Sequence, residues 1–175
     1  LITGGNQGLG FAIAKNFLNK GANIAFIARS KDKLLTASEE LNKIKKNDQK
    51  IFSFVCDISK TNECDLAFSK ILDHLSSIDV LINNASVFGP MGRLQDIPWE
   101  EFVYNINTNF IGSIYMCKLT IPIMQKNKYG KIVNISGGGA ANPFPALACY
   151  AAGKAGLVRF SEELATDLKR YNIDV

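Results

Sequence analysis

Leu1-Ile2-Thr3-Gly4-Gly5-Asn6-Gln7-Gly8-Leu9-Gly10 sets an apolar pair ahead of a glycine-rich turn. Ile13 with Phe17, and Ala14 with Leu18, then recur at four-residue spacing, the repeat of one helix face. Gly21 closes that helix. Strand, glycine turn and helix in this order suit a pyrophosphate. Glycines let the backbone come close, and the start of the helix aims free N–H groups at the anion. The spacing is Gly4-x-x-x-Gly8-x-Gly10; the commoner Gly-x-Gly-x-x-Gly would need a glycine where Ile13 stands.

The rest of the chain repeats the alternation. Residues 23–28 form a continuous apolar run of strand length, as expected for a strand buried on both faces of a parallel sheet. Ser30 caps the next helix, with Leu34, Ala37, Leu41 and Ile44 on its inner face. A third strand covers 51–55 and ends at Cys56-Asp57. Ala67, Ile71, Leu75 and Ile78 mark another helix, with His74 beside the stripe as a half-buried structural residue. A fourth strand at 79–82 precedes Asn83-Asn84-Ala85-Ser86. After a loop over 87–98 comes a long helical region, Trp99 to Gln125, which Pro122 is expected to kink or end. The fifth strand, 131–135, leads through Gly137-Gly138-Gly139 to a final helix with Leu157, Phe160, Leu164, Leu168 and Tyr171 on its core face. This order gives an α/β fold: a Rossmann-like, doubly wound parallel sheet with helices on both faces, in three layers. Ligands of such sheets bind at the carboxyl ends of the strands.

The chain has 175 residues, is 47% hydrophobic and carries a net charge of +4. That is the composition of one packed domain. The basic excess gathers at Lys43, Lys45, Lys46 and Lys50 and reads as a solvated helix end, so no nucleic-acid partner is expected. No apolar run is long enough for a membrane span. Four scattered cysteines and a single histidine suggest neither a metal site nor a disulfide framework; a reducing, cytoplasmic setting fits. The opening pair is short for a strand, and Asn172-Ile173-Asp174-Val175 looks like the start of another. Residues 1–175 are therefore expected to be one domain of a longer polypeptide, cut short at both ends.

Tyr150 and Lys154 share one face of the last helix, a turn apart. An ammonium beside a phenol favours the phenolate, giving a group that exchanges a proton with an alcohol or carbonyl near neutral pH.

Thr3-Gly4-x-x-x-Gly8-x-Gly10, Asn83-Asn84-Ala85, Asn109 and Tyr150-x-x-x-Lys154, in this order, resemble the motifs of the short-chain dehydrogenase/reductase family. The resemblance implies that residues 1–175 are one NAD(P)-binding domain without its last strands and substrate loop, and it implies hydride transfer between a nicotinamide cofactor and a carbonyl or alcohol. It makes Tyr150 the acid/base and gives Lys154 the nicotinamide ribose hydroxyls. Asn109, followed by Gly112, would anchor a proton-relaying water. Thr3, Gly4, Asn6, Gln7, Gly8, Leu9 and Gly10 would hold the pyrophosphate end. Asp57 and Ile58 would meet the adenine, and Asn84 and Ala85 would line the cleft. Relatives place a substrate-binding serine second in a Ser-Ser pair, and here the pair reads Ser136-Gly137. Either Ser136 takes that role or backbone N–H groups do.

In dinucleotide folds an acid after the second strand accepts a ribose hydroxyl, whereas an arginine suits a 2′-phosphate. Ala28-Arg29-Ser30 stands there, so NADP(H) is favoured over NAD(H), although Gln7 replaces the basic residue often found in the turn of NADP-dependent relatives. Val87, Phe88 and Met91, with Phe144, Pro145 and Leu147, suggest an apolar rim and a lipophilic or acyl-type carbonyl substrate. The family implies a homodimer or homotetramer formed through the two long helices. Loss of the second serine leaves one alternative, an NADP(H)-binding regulator or scaffold without catalysis.

Overall fold

A computed structural model describes residues 1–46 and 48–175. Six parallel strands form one sheet in the order β3-β2-β1-β4-β5-β6. They are β1 (Ile2–Thr3), β2 (Ile24–Ala28), β3 (Ile51–Val55), β4 (Val80–Asn83), β5 (Gly130–Asn134) and β6 (Ile173–Asp174). The helices between them are α1 (Gly8–Asn19), α2 (Lys31–Asn42), α3 (Thr61–His74), α4 (Trp99–Ile106), α5 (Gly112–Asn127) and α6 (Ala148–Leu168). This is the doubly wound arrangement that the alternating pattern predicts.

Strand β2 shows why its sequence is apolar throughout. Ile24, Phe26 and Ala28 face one core with Ala14 and Leu18 of α1 and Leu34, Ala37 and Leu41 of α2. Ala25 and Ile27 face the opposite core with Cys64, Ala67 and Ile71 of α3 and Met116 and Cys117 of α5. Alternate side chains leave opposite faces of a strand, so covering both faces demands an unbroken apolar run. All four cysteines are buried free thiols. Ser30 caps α2, its hydroxyl accepting from the Lys33 N–H at 3.4 Å.

The structure departs from expectation in several places. Ile44 lies past the end of α2 and is exposed, and α3 stops at His74, before Leu75 and Ile78. His74 is exposed, not half-buried, and stacks on Phe52 with ring centres 4.5 Å apart. The break in the long helical region is not at Pro122, which α5 carries inside it. Proline forfeits one helix hydrogen bond, but Met116, Thr120 and Met124 lock the inner face of α5 into the core. The irregularity comes earlier, as a π turn over Asn107–Ile111, where the Gly112 N–H reaches the Asn107 carbonyl five residues back. Among the described residues, no helix is long and apolar enough to cross a membrane.

Candidate active site

Strand β1 lies between β2 and β4, and the connections leaving it and β4 run to opposite sides. A crevice must open at the carboxyl ends of these strands. It does so as a cleft of about 640 Å³. Gly4, Asn6, Gln7, Gly8 and Leu9 line it from the turn after β1, and Ala28, Arg29, Ser30 and Lys33 from the end of β2 and the start of α2. Asp57 and Ile58 line it after β3, and Asn84, Ala85, Ser86 and Val87 after β4. Thr3 and Gly10 are buried beneath the cleft and shape it from below.

The cradle is built by local hydrogen bonds. The Thr3 hydroxyl accepts from the N–H groups of Asn84 at 3.0 Å and Ala85 at 2.9 Å. The Asn84 amide donates back to the carbonyls of Thr3 at 3.0 Å and Gly4 at 3.2 Å. These bonds pin the glycine turn to the end of β4. Gly10 is required by this closeness: a Cβ there would strike the Gly4 carbonyl oxygen and the Asn84 amide. The result fits a dinucleotide, with a tight glycine turn, the first residues of a twelve-residue helix and two cations at one end of a single cleft.

Those cations are Arg29 and Lys33. The Arg29 guanidinium donates to the Tyr104 hydroxyl, whose own O–H lies 3.3 Å from an Asp57 carboxylate oxygen. The Lys33 ammonium donates to Gln7 Oε1 at 2.7 Å. Lys33 and Tyr104 were not legible as site residues. Each lies one helix turn or more from any motif; the packing of α2 brings Lys33 to the cleft, and that of α4 sets Tyr104 against Arg29 and Asp57 behind it.

Tyr150 and Lys154, expected to touch the cofactor, do not line the cleft; Tyr150 is tied to its Val87 side through Phe88, which packs on the Tyr150 ring at 5.1 Å between centres. Lys154 is only 2% exposed. Its ammonium lies 5.9 Å from the centre of the Tyr150 ring and donates to the Ile135 carbonyl at 2.7 Å. Burial pulls its pKa down from 10.5 to about 8.

Asn109 sits in the π turn, fully buried. Its amide donates to the Val87 carbonyl at 2.8 Å and to Asn105 Oδ1 at 2.7 Å. Its oxygen accepts from the Ser86 hydroxyl at 2.7 Å and the Val87 N–H at 2.9 Å. Asn105, one turn earlier, donates to the carbonyls of Val87 and Gly89. Two asparagines on one helix face thus clamp the loop that carries Phe88. The side chain of Asn109 therefore has no hydrogen-bonding capacity left over to offer a water.

Ser136 is exposed. Gly137 is the residue that abuts the catalytic candidate: a Cβ at this position would collide with the Tyr150 hydroxyl. The rim is apolar and aromatic, Phe88 and Phe144 meeting edge to face at 6.1 Å. Leu147 is buried and does not belong to the rim.

Comparison with known proteins agrees with this geometry. The family described as short chain dehydrogenase matches residues 1–175. The 11-beta-hydroxysteroid dehydrogenase-like 3 protein of Arabidopsis thaliana is 34% identical over 174 residues, covering 96% of this chain and 53% of that protein. The 3-oxoacyl-[acyl-carrier-protein] reductase FabG of Chlamydia muridarum is 35% identical over 176 residues, covering 100% of this chain and 69% of the reductase. The chain thus spans about half to two thirds of the length of these curated relatives. Among solved structures, a metagenomic short-chain oxidoreductase in complex with NADP superposes with a TM-score of 0.90 at 29% identity, covering 98% of this chain and 77% of that one. An NAD+-bound xylitol dehydrogenase superposes at 0.92 with 26% identity, covering 99% and 66%. Nucleotide cradle, Tyr-x-x-x-Lys helix and sheet order therefore converge with a match along the whole chain: the protein belongs to the short-chain dehydrogenase/reductase family.

Proposed function

We propose that this protein is an NADP(H)-dependent oxidoreductase that interconverts a carbonyl and an alcohol, with Tyr150 as acid/base. The observation that carries the reading is the pairing of Tyr150 with a buried Lys154 beside a dinucleotide-shaped cleft. When bound, the reduced nicotinamide supplies the hydride that arrives at the carbonyl carbon. Tyr150 gives its phenolic proton to the carbonyl oxygen in the same direction, and takes it back from the alcohol in the reverse one. Lys154 holds its charge against the Tyr150 ring and offers its remaining N–H donors to the ribose hydroxyls. Asn109 keeps α4, the π turn and the Phe88 loop in register, and its backbone carbonyl anchors the water that returns protons to Lys154.

The remaining substrate contact falls to Ser136 or to backbone N–H groups of the glycine run, because glycine occupies the place against the Tyr150 hydroxyl. Arg29, at the adenosine end, selects NADP(H). Phe88 and Phe144 favour a lipophilic or acyl-type carbonyl compound. Two or four copies associate through the helical region from Trp99 to Gln125 and through α6, where Trp99, Val103, Ile111 and Val158 are exposed. The protein works in the cytoplasm with its thiols reduced.

The test is NADPH oxidation by the purified protein against a panel of ketones and aldehydes, beside Tyr150→Phe. Turnover that vanishes in the variant supports the assignment; equal turnover in the two overturns it. The replacement of the second serine by Gly137 favours one other reading, an NADP(H)-binding regulator without catalysis. That reading predicts tight cofactor binding and no turnover on any carbonyl.

A further inference from the structure

We infer that Lys33 is a specificity residue for the cofactor: its ammonium, parked on Gln7, is the second cation that receives the adenosine 2′-phosphate beside Arg29. The inference rests on the proposed NADP(H) reading and extends it to a residue outside every motif. Lys33 lies in the first turn of α2, three residues beyond Ser30, and its side chain crosses to the glycine turn. The contact with Gln7 Oε1 is 2.7 Å, and both residues line the cleft with Arg29 and Ser30. The turn itself contains no basic residue. The fold therefore brings to position 7, from a neighbouring helix, the charge that the local sequence omits.

The partners of both cations leave the charge available. Lys33 is held by an amide oxygen and Arg29 by a phenol oxygen, both neutral. Neither cation forms a salt bridge among the described residues. An ammonium has three donors, and Gln7 occupies one. The Ser30 hydroxyl accepts from the Lys33 N–H, which leaves its own proton to donate. Asp57 is the carboxylate on the opposite side, reached only through the Tyr104 hydroxyl. Two free cations and a hydroxyl donor around one corner of the cleft match a phosphate dianion. A ribose 2′-hydroxyl has no charge to engage them, so the corner discriminates between the two cofactors.

The experiment measures dissociation constants of NADPH and NADH by fluorescence titration for wild type, Lys33→Met and the double variant Lys33→Met/Gln7→Lys. Removing one charged contact to phosphate should weaken NADPH binding by about ten- to a hundredfold while NADH changes less than about twofold. Restoring an ammonium from position 7 should recover most of the NADPH affinity, an outcome a packing role for Lys33 would not produce. If wild type binds NADH as tightly as NADPH, the NADP(H) reading itself fails. If wild type prefers NADPH but Lys33→Met retains that preference, or loses both cofactors equally, the assignment of Lys33 is wrong. A double variant no better than Lys33→Met contradicts it as well.

Discussion

Replacing Lys154 by methionine tests how much the fold gives up to keep an ammonium beside Tyr150. The native pKa of about 8 lies below the ordinary 10.5 because the group is buried. The unfolded chain therefore binds the proton more tightly, and the native state bears a cost wherever the unfolded lysine is charged. That cost is complete below about pH 8, shrinks as pH rises from 8 to 10.5, and disappears above. This is the reverse of a lysine that gains a carboxylate partner. Linkage puts it at about 3 kcal/mol at pH 7 and about 1 kcal/mol at pH 9.5. Methionine has no such proton, and the titrating groups other than its neighbour Tyr150 cancel between the two proteins. The stability of wild type relative to Lys154→Met should accordingly rise by about 2 kcal/mol from pH 7 to pH 9.5. The lost hydrogen bond to the Ile135 carbonyl offsets the methionine's advantage by a constant and leaves the slope untouched. Urea denaturation of both proteins at several pH values measures it. A difference that stays flat, or moves the other way, would refute the claim that Lys154 is buried at an electrostatic cost.

Three further outcomes follow from the geometry. Gly10→Ala drives a methyl group into the Gly4 carbonyl and the Asn84 amide, so NADPH affinity should fall about tenfold or more in a titration. Gly137→Ser, which restores the family's serine, should lower kcat because its Cβ displaces the Tyr150 hydroxyl; a faster enzyme would show that the backbone there yields freely. Asn109→Ala strands the buried Asn105 side-chain oxygen and the half-buried backbone groups of Val87 and should cost about 2–3 kcal/mol in urea denaturation, whereas a loss below about 0.5 kcal/mol would mean that the Asn105–Asn109 clamp is dispensable.

The architecture was legible because local signals and the global fold agree. The unbroken apolar run of β2 states that both faces are covered, and Ser30 announces the start of α2. The glycine turn and the Tyr150–Lys154 spacing are also local, and the fold brings both to the same side of the sheet. What escaped depends on contacts between elements. Pro122 looked like a break, but core packing around Met116 and Met124 carries α5 through it. The π turn at Asn107–Ile111 leaves no compositional trace. The tethering of Lys33 to Gln7 joins residues 26 positions apart, and that of Arg29 to Tyr104 joins residues 75 apart. Neither distance along the chain can be read from a motif. Leu147 seemed to belong with Phe144 at the rim because the two are close in sequence, but the chain turns inward just before α6 and buries it.

The most direct test follows the hydride and the proton together. The protein is incubated with a ketone and NADPH deuterated at the nicotinamide C4 in each diastereomeric form, and the alcohol is weighed by mass spectrometry beside the Tyr150→Phe product. Wild type should deliver one deuterium to the carbinol carbon from one of the two forms, and the phenylalanine variant should form almost no alcohol. Unlabelled alcohol from both forms, or labelled alcohol made equally fast without the phenol, would contradict the account.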